Sequence, residues 1–262
     1  MNVFDLSFGK DSMATLIVAI EEGISVDHVM YCDIRFSDKI SGEHPLMAAW
    51  IPEAEEILRK KFGIVVEHVY SGVTFEKQFY TRYQKGKYKG ERYGYPLLKR
   101  AWCNSRLKIS AINKYSRKIG DHTCFVGIAY DEPGRWERMK KKETQKIKYR
   151  SLLFENRLTE QNAFEICERY NLLSPMYKTN DGIFRGGCWF CPKQGNADLY
   201  SLWKNYPDYF NRLKEMEPDS YITFKNGKTL TDFSKAFEAG YIPKRRKKRK
   251  TCEQLKMEVF DD

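Results

Sequence analysis

VFDLSFGKDSMATLIVAIEEG, residues 3–23, changes character twice. An apolar run from Val3 to Leu6 meets a small-residue turn, Ser7 to Ser12, carrying one lysine and one aspartate. Apolar residues at helical spacing then continue until Gly23. A second strand-like run, VDHVMYCD (26–33), ends in an aspartate, so the chain opens β-α-β. The pattern recurs: Pro45 to Phe62 reads as an amphipathic helix, IVVEHVYS (64–71) as a strand, Leu97 to Arg117 as a long helix and HTCFVGIAYDE (122–132) as a strand. Strands alternating with helices predict an α/β fold with a mainly parallel, twisted sheet and helices on both faces.

A turn between the first strand and first helix of such a sheet lies at its carboxyl edge, where ligands bind. Backbone N–H groups there face an anion, with the helix N-terminus behind them. Ser7 and Ser12 add hydroxyl donors, Gly9 lets the backbone come close and Lys10 offsets negative charge, which together describe a phosphate cradle. The turn matches neither GxxxxGK[ST] nor GxGxxG.

With 262 residues the chain can bury a sizeable core, and 42% hydrophobic with 15% aromatic content fits a globular protein. No apolar run approaches the roughly 18 to 20 residues of a membrane span, and the first residues lack the pattern of a signal peptide. The expectation is a cytoplasmic protein with no membrane partner. Net charge is +11, but Lys244 to Lys250 reads KRRKKRK, and removing those seven leaves +4. The basic tail reads either as a solvated segment or as a nucleic-acid contact, since clustered Lys and Arg release counterions from phosphates. FYTRYQKGKYKGERYGYP (79–96) interleaves aromatics with cations and reads either as a surface loop or as a stacking surface for nucleic acid.

Seven cysteines are too sparse for a disulfide scaffold in a chain of this length. Only Cys188 and Cys191 form a close pair, in FRGGCWFCPKQG (184–195). CxxC between paired glycines and a proline has the spacing by which two thiolates reach one metal, zinc or iron–sulfur; a redox dithiol competes.

SFGKDS resembles the SGGxDS turn of the PP-loop ATP pyrophosphatases, the adenine-nucleotide α-hydrolase superfamily, with Phe8 in place of the first glycine as in the phosphoadenosine phosphosulfate (PAPS) reductase branch. RAWCNSRLK (100–108) is similar to the W-C-T-x-x-L-K segment of that branch and of the DNA phosphorothioation sulfurtransferases. VGIAYDEPGR (126–135) resembles their acidic strand end followed by an arginine. The resemblance spans roughly residues 1 to 205 in order.

It implies a five-stranded, three-layer sheet of the HUP/PP-loop type with a small helical C-terminal region: a nucleotide domain over 1–153, a helical region with the CxxC over 154–240 and a basic tail over 241–262. It also implies that Ser7, Phe8, Gly9, Lys10, Asp11, Ser12, Asp33, Arg106 and Lys108 bind an adenine nucleotide, ATP or PAPS/adenosine phosphosulfate, with Mg2+. Asp11, Lys10 and Arg135 are the candidate catalytic residues. Cys103 joins Cys188 and Cys191 on a [4Fe–4S] cluster or Zn2+, and helical spacing places Cys103, Arg106 and Lys99 on one face. The loop after Asp33 is longer than the family's D-T-G-x-x-x-P.

The activity implied is adenylation-dependent sulfur transfer, with nucleic acid as a candidate acceptor, a sulfur-donor protein as a candidate partner and a homodimer as a compatible assembly. Two alternatives stand beside it. One is a sulfonucleotide reductase attacking with the tail cysteine, Cys252, although the E-C-G-[LI]-H context is missing from KTCEQLKMEVFDD (250–262). The other is a non-catalytic nucleotide- or nucleic-acid-binding module.

Overall fold

The computed structural model describes residues 1–99, 101–178, 186–225 and 227–244; Arg100, Phe184, Arg185 and the basic tail from residue 245 onward, Cys252 included, lie outside them. The chain runs β1 (Asn2–Asp5), α1 (Lys10–Glu21), β2 (His28–Cys32), α2 (Pro45–Phe62), β3 (Val66–Val69) and α3 (Phe75–Tyr80). A π-helical turn, Asn104–Ile109, leads into α4 (Ser110–Ile119), then β4 (His122–Phe125), α5 (Pro133–Lys140), β5 (Ile147–Arg150), α6 (Leu152–Glu155) and α7 (Glu160–Arg169). Three more helices follow, α8 (Asn196–Asn205), α9 (Pro207–Glu215) and α10 (Leu230–Glu238).

The five strands form one sheet in the order β3-β2-β1-β4-β5. Every pairing is parallel, with Val3 opposite His28 and Cys124, and Cys124 opposite Tyr149. Alternate residues take opposite faces, as the period of two demands. Phe4, Val29, Tyr31 and Phe125 join a core with α1, α2, α6 and α7, whereas Val3 and Met30 pack with Tyr115 of α4 on the other side. Helices therefore cover both faces. The central helix α1 is buried almost all round, from Ser12 through Ala19, because it is trapped between the sheet and α7. Gly23, at φ +68°, ends it.

A second core is mostly aromatic. Phe36, Phe75, Phe79, Tyr95 and Trp102 meet Trp189, Phe190 and residues of α8, α9 and α10, so the C-terminal helices pack on the loops that leave the sheet. No helix among the described residues is long and apolar enough to cross a membrane.

The opening β-α-β and α2 form where the sequence pattern puts them, but two elements differ. Helix begins only at Trp102 and extends to Ile119, not from Leu97, because the segment after Pro96 runs over the surface with Leu97 exposed. Strand β4 stops at Phe125 instead of continuing to Glu132. Its continuation turns in against the first turn of α1, where a Cβ on Gly127 would lie 2.3 Å from Ser12 N and 2.5 Å from the Asp11 carbonyl carbon. Both neighbours are backbone and cannot rotate away.

Gly127→Ala is therefore expected to destabilise the protein by about 2–3 kcal/mol, within the range for overpacking. Gly134→Ala, whose added Cβ meets only the end of the Arg138 side chain at 3.5 Å, is expected to be neutral or mildly stabilising. Equal urea midpoints for the two variants would contradict this close approach.

Candidate functional site

Strand β1 leads into the Ser7–Ser12 turn at the carboxyl edge, where β1 lies between β2 and β4 and the chain's direction of winding reverses. Phe8 adopts φ +55°, a left-handed conformation that costs a β-substituted residue roughly 1–2 kcal/mol. Its ring is 1% exposed and sits edge-on to Tyr31 (5.1 Å) and Trp50 (6.3 Å). Burying a phenylalanine contributes roughly 2–3 kcal/mol, which offsets the strain.

Around it the backbone is cross-braced. Ser7 N–H donates to Ser12 Oγ (3.1 Å), Ser12 Oγ donates to Gly9 C=O (3.0 Å) and Ser7 Oγ lies 3.0 Å from Ser12 Oγ. The Lys10 N–H donates to Tyr177 Oη at 3.2 Å, so a tyrosine hydroxyl holds one of the first-turn amides that helix geometry leaves without an intrahelical partner.

Lys10 turns back from the mouth of the turn. Its Nζ lies 2.6 Å from Asp11 and 3.6 Å from Glu160, and 5.4 Å over the Phe164 ring. Burial raises the Asp11 carboxyl above its ordinary value; Lys10 opposes that, while Glu160 and Glu132 add to it. Arg135 is exposed and paired with Glu132 at 2.7 Å, which brings it to the acidic side of the turn. Asp33, just past β2, accepts from Arg35 at 2.7 Å, and Arg35 lies over Tyr70 (4.6 Å).

The thiols converge a short way along the same edge. Cys103, Cys188 and Cys191 line one cavity of about 480 Å³ with Ile34, Lys108 and Lys193. Three sequence segments build it. The CxxC turn is closed by Cys191 N–H donating to Cys188 C=O (3.1 Å) and is anchored on the loop after β2. There Trp189 donates from its backbone to Gly42 C=O (3.0 Å) and from its indole to Ser41 C=O (2.9 Å). Gly42 fits because a Cβ would lie 2.5 Å from the Ile34 carbonyl oxygen. Cys103 comes from the start of the π-helical turn.

Of the three residues expected on one helix face, Lys99 precedes the helix and Arg106 lies away from the cavity that Cys103 lines. Lys108 faces the thiols, while Arg106 points outward with its guanidinium 3.4 Å from Tyr93 Oη. Burial pushes the Cys103 thiol up to about 11 and Cys188 well above its ordinary value, and each feels the other sulfurs: Cys191 raises Cys103, and Cys191 and Cys103 both raise Cys188. A thiophilic cation reverses that balance by stabilising thiolates. Three thiols on one cavity suit zinc or an iron–sulfur cluster. As they stand, no group of three or more His, Cys, Asp or Glu among the described residues is arranged to hold a metal. Cys32, Cys124 and Cys167 are also free thiols but point elsewhere: Cys167 donates to Lys10 C=O (3.2 Å), and Cys124 lies within β4.

Two residues, Tyr31 and Glu43, connect the turn to the thiols. Tyr31, edge-on to Phe8, donates from its hydroxyl to Glu43 (3.2 Å), and Glu43 pairs across a β-bridge with Cys188. Burial raises the Glu43 carboxyl above its ordinary value. Neither Glu43 nor Glu160 carries a local signal, because each becomes relevant only through residues far away in sequence. No family model, curated protein or solved structure matches the chain.

The raised Asp11 carboxyl has a consequence for stability. The folded chain keeps this proton to higher pH than the unfolded chain does, so stability falls as pH rises from the ordinary aspartate value near 3.9 toward the raised one. Asp11→Asn removes that component. Its stability relative to the parent is expected to improve as pH rises above about 4 in urea melts; parallel curves would show that Asp11 titrates alike in both states.

Proposed function

We propose that this chain is an adenine-nucleotide-binding enzyme of the PAPS reductase-like PP-loop type, which adenylates an acceptor and passes sulfur to it, with nucleic acid as the acceptor class. One observation carries it: a serine-braced, glycine-containing turn and three converging cysteines share the carboxyl edge of a single parallel sheet.

Adenylation needs anion-binding groups on a leaving pyrophosphate. The amides of the first turn of α1 and the hydroxyls of Ser7 and Ser12 supply neutral donors. Lys10 supplies charge once its ammonium leaves Glu160, and a phosphate oxygen takes the Lys10 N–H from Tyr177. An acceptor oxygen attacks the α-phosphorus as the bond to pyrophosphate breaks. Hydrosulfide, as the sulfur source, then forms a bond to the activated carbon as the bond to the AMP oxygen breaks and AMP leaves. Asp11, beside Lys10, orients the ammonium, and Arg135, paired with Glu132, is the further candidate cation for the same anion. Magnesium, when bound, supplies charge for the pyrophosphate, and a thiophilic metal or iron–sulfur cluster held by Cys103, Cys188 and Cys191 supplies a place for sulfur. Lys108 adds a cation beside that cavity.

Nucleic acid as acceptor is supported by an aromatic and cationic surface on the 79–96 segment. Tyr83 stacks on Tyr93 (4.0 Å) and Tyr88 on Tyr221 (5.2 Å), with Arg92 over Tyr80 (5.4 Å) and Lys87 over Tyr88 (5.7 Å). Such ring platforms among cations suit bases and phosphates.

Release of pyrophosphate from ATP and Mg2+ is expected to rise on adding the proper RNA or DNA and to fall by about a hundredfold or more in Asp11→Ala and Lys10→Met. Anaerobic metal and acid-labile sulfide analysis of the same preparation reads the thiol site separately. Sulfite production from PAPS with no pyrophosphate release would make the protein a reductase, and ATP binding without turnover would make it a binding module.

A further inference from the structure

Strand β5 is an edge of the sheet, with β4 as its one strand neighbour among the described residues. An open edge invites strand addition by another chain. This edge is sealed from within its own segment. Toward β4, Lys146 C=O accepts the His122 N–H and Arg150 C=O the Val126 N–H, both at 2.9 Å. The outward groups belong to Ile147 and Tyr149, and all four are engaged. Ile147 N–H donates to Thr144 Oγ1 and Ile147 C=O accepts the Thr144 N–H, each at 3.0 Å. Tyr149 N–H donates to Glu143 Oε1 (2.9 Å), and Tyr149 C=O accepts from Lys140 Nζ (3.4 Å). The edge therefore offers a partner side chains, not backbone.

Those side chains carry mostly one sign of charge. From Arg135 to Arg150 the sequence holds eight Lys or Arg and two Glu, a net +6 in sixteen residues. All eight cations are exposed. Arg135, Lys140 and Arg150 pair with Glu132, Glu143 and Glu155. Arg138, Lys141, Lys142, Lys146 and Lys148 have no carboxylate within ion-pair distance among the described residues, and Lys148 faces Glu143 only at longer range. Like charges at this density repel one another, and a polyanion relieves the repulsion. The surface has no apolar anchor for a bilayer: Trp136 is stacked on Phe154 (5.6 Å) and covered by the Lys140 ammonium (5.4 Å). It also begins beside the turn after β1, because Arg135 pairs with Glu132, whose charge acts on Asp11.

We propose that α5 and β5 form a sequence-independent contact for the phosphate backbone of a nucleic acid. The proposal takes its partner class from the acceptor reading above, but it uses neither the tyrosines of 79–96 nor the basic tail. Lysine and arginine on phosphates release condensed counterions, and such contacts fix the position of a strand without reading its bases.

Fluorescence anisotropy tests this, with labelled DNA and RNA duplexes of about 20 base pairs, each in two unrelated sequences, and the full-length protein at about 50 to 200 mM salt. Lys141→Gln/Lys142→Gln/Lys146→Gln/Lys148→Gln is expected to weaken binding of both sequences alike, by about thirty-fold or more, and to reduce the slope of log K against log salt by about 3. A matched control, Lys60→Gln/Lys114→Gln/Arg117→Gln/Lys118→Gln, removes four exposed cations from α2 and α4 and is expected to stay within about three-fold of the parent. Both variants are expected to melt within about 2 °C of the parent, since exposed charges contribute little to folding. Equal losses in the two variants would reduce the effect to net charge and overturn the contact, as would an α5–β5 variant that binds like the parent. A parent that binds no duplex overturns it too, and capture by phosphatidylserine vesicles in that case assigns the surface to a lipid headgroup. Pyrophosphate release checks the acceptor reading separately: release that nucleic acid does not stimulate, beside duplex binding that only the α5–β5 variant loses, removes the acceptor and leaves the contact.

Discussion

Two stretches of backbone cross at the middle of the sheet with no room for a methyl group between them. Gly127, leaving β4, lies against the Asp11–Ser12 peptide at the start of α1. The other features of the turn follow from that contact. It sets how closely α1 approaches the carboxyl edge, and so where the first-turn amides face. It also places the Lys10 side chain against α7, beside Glu160 and Phe164, with its charge held by two carboxylates. The buried Phe8 ring locks the other side of the turn, and its burial stabilises a backbone conformation that an exposed phenylalanine would abandon.

The thiol site depends on a second, independent constraint. Phe36, Phe75, Trp189 and Phe190 pack ring against ring, with centroids 4.1 Å apart for Phe75 and Phe190 and 4.6 Å for Phe36 and Trp189. The two aromatic residues of the CxxC thus serve as pegs: they fasten the cysteine turn to the loop after β2, while the thiols on either side of them face the cavities. The hydroxyl of Tyr31 and the carboxyl of Glu43 span the space between the two constraints, from the Phe8 ring to the strand pairing of Cys188. The turn and the cysteine segment are therefore joined by a continuous run of packed and hydrogen-bonded groups.

Much of the frame is legible in the residues alone. The apolar run into Ser7, the helical spacing from Lys10 to Glu21 and the glycine at 23 define β1 and α1. Pro45 and Gly63 bracket α2 in the same way, by a proline suited to a first helical turn and a glycine at φ +67° after the last. The fifth strand, Ile147–Arg150, escapes such a reading because its four residues alternate half-buried and exposed and lie at the sheet edge, where the apolar signal is weakest. The π-helical turn escapes it too: Asn104 to Ile109 looks like ordinary helix, and its altered spacing accompanies the packing of Trp102 and Leu107 into the aromatic core.

Strand, helix and cap assignments, the serine-and-glycine turn and the cysteine spacing all express interactions between residues a few positions apart, so composition and order settle them. The company those residues keep is another matter. That Gly127 admits α1, that Glu160 holds Lys10, that Cys103 joins a cysteine pair more than eighty positions later and that His44 stands behind that pair with an unpartnered nitrogen are outcomes of packing. They depend on how two cores, one aliphatic around α1 and one aromatic around Trp189, close against the same sheet edge. Contacts of that range leave no periodic trace in the chain.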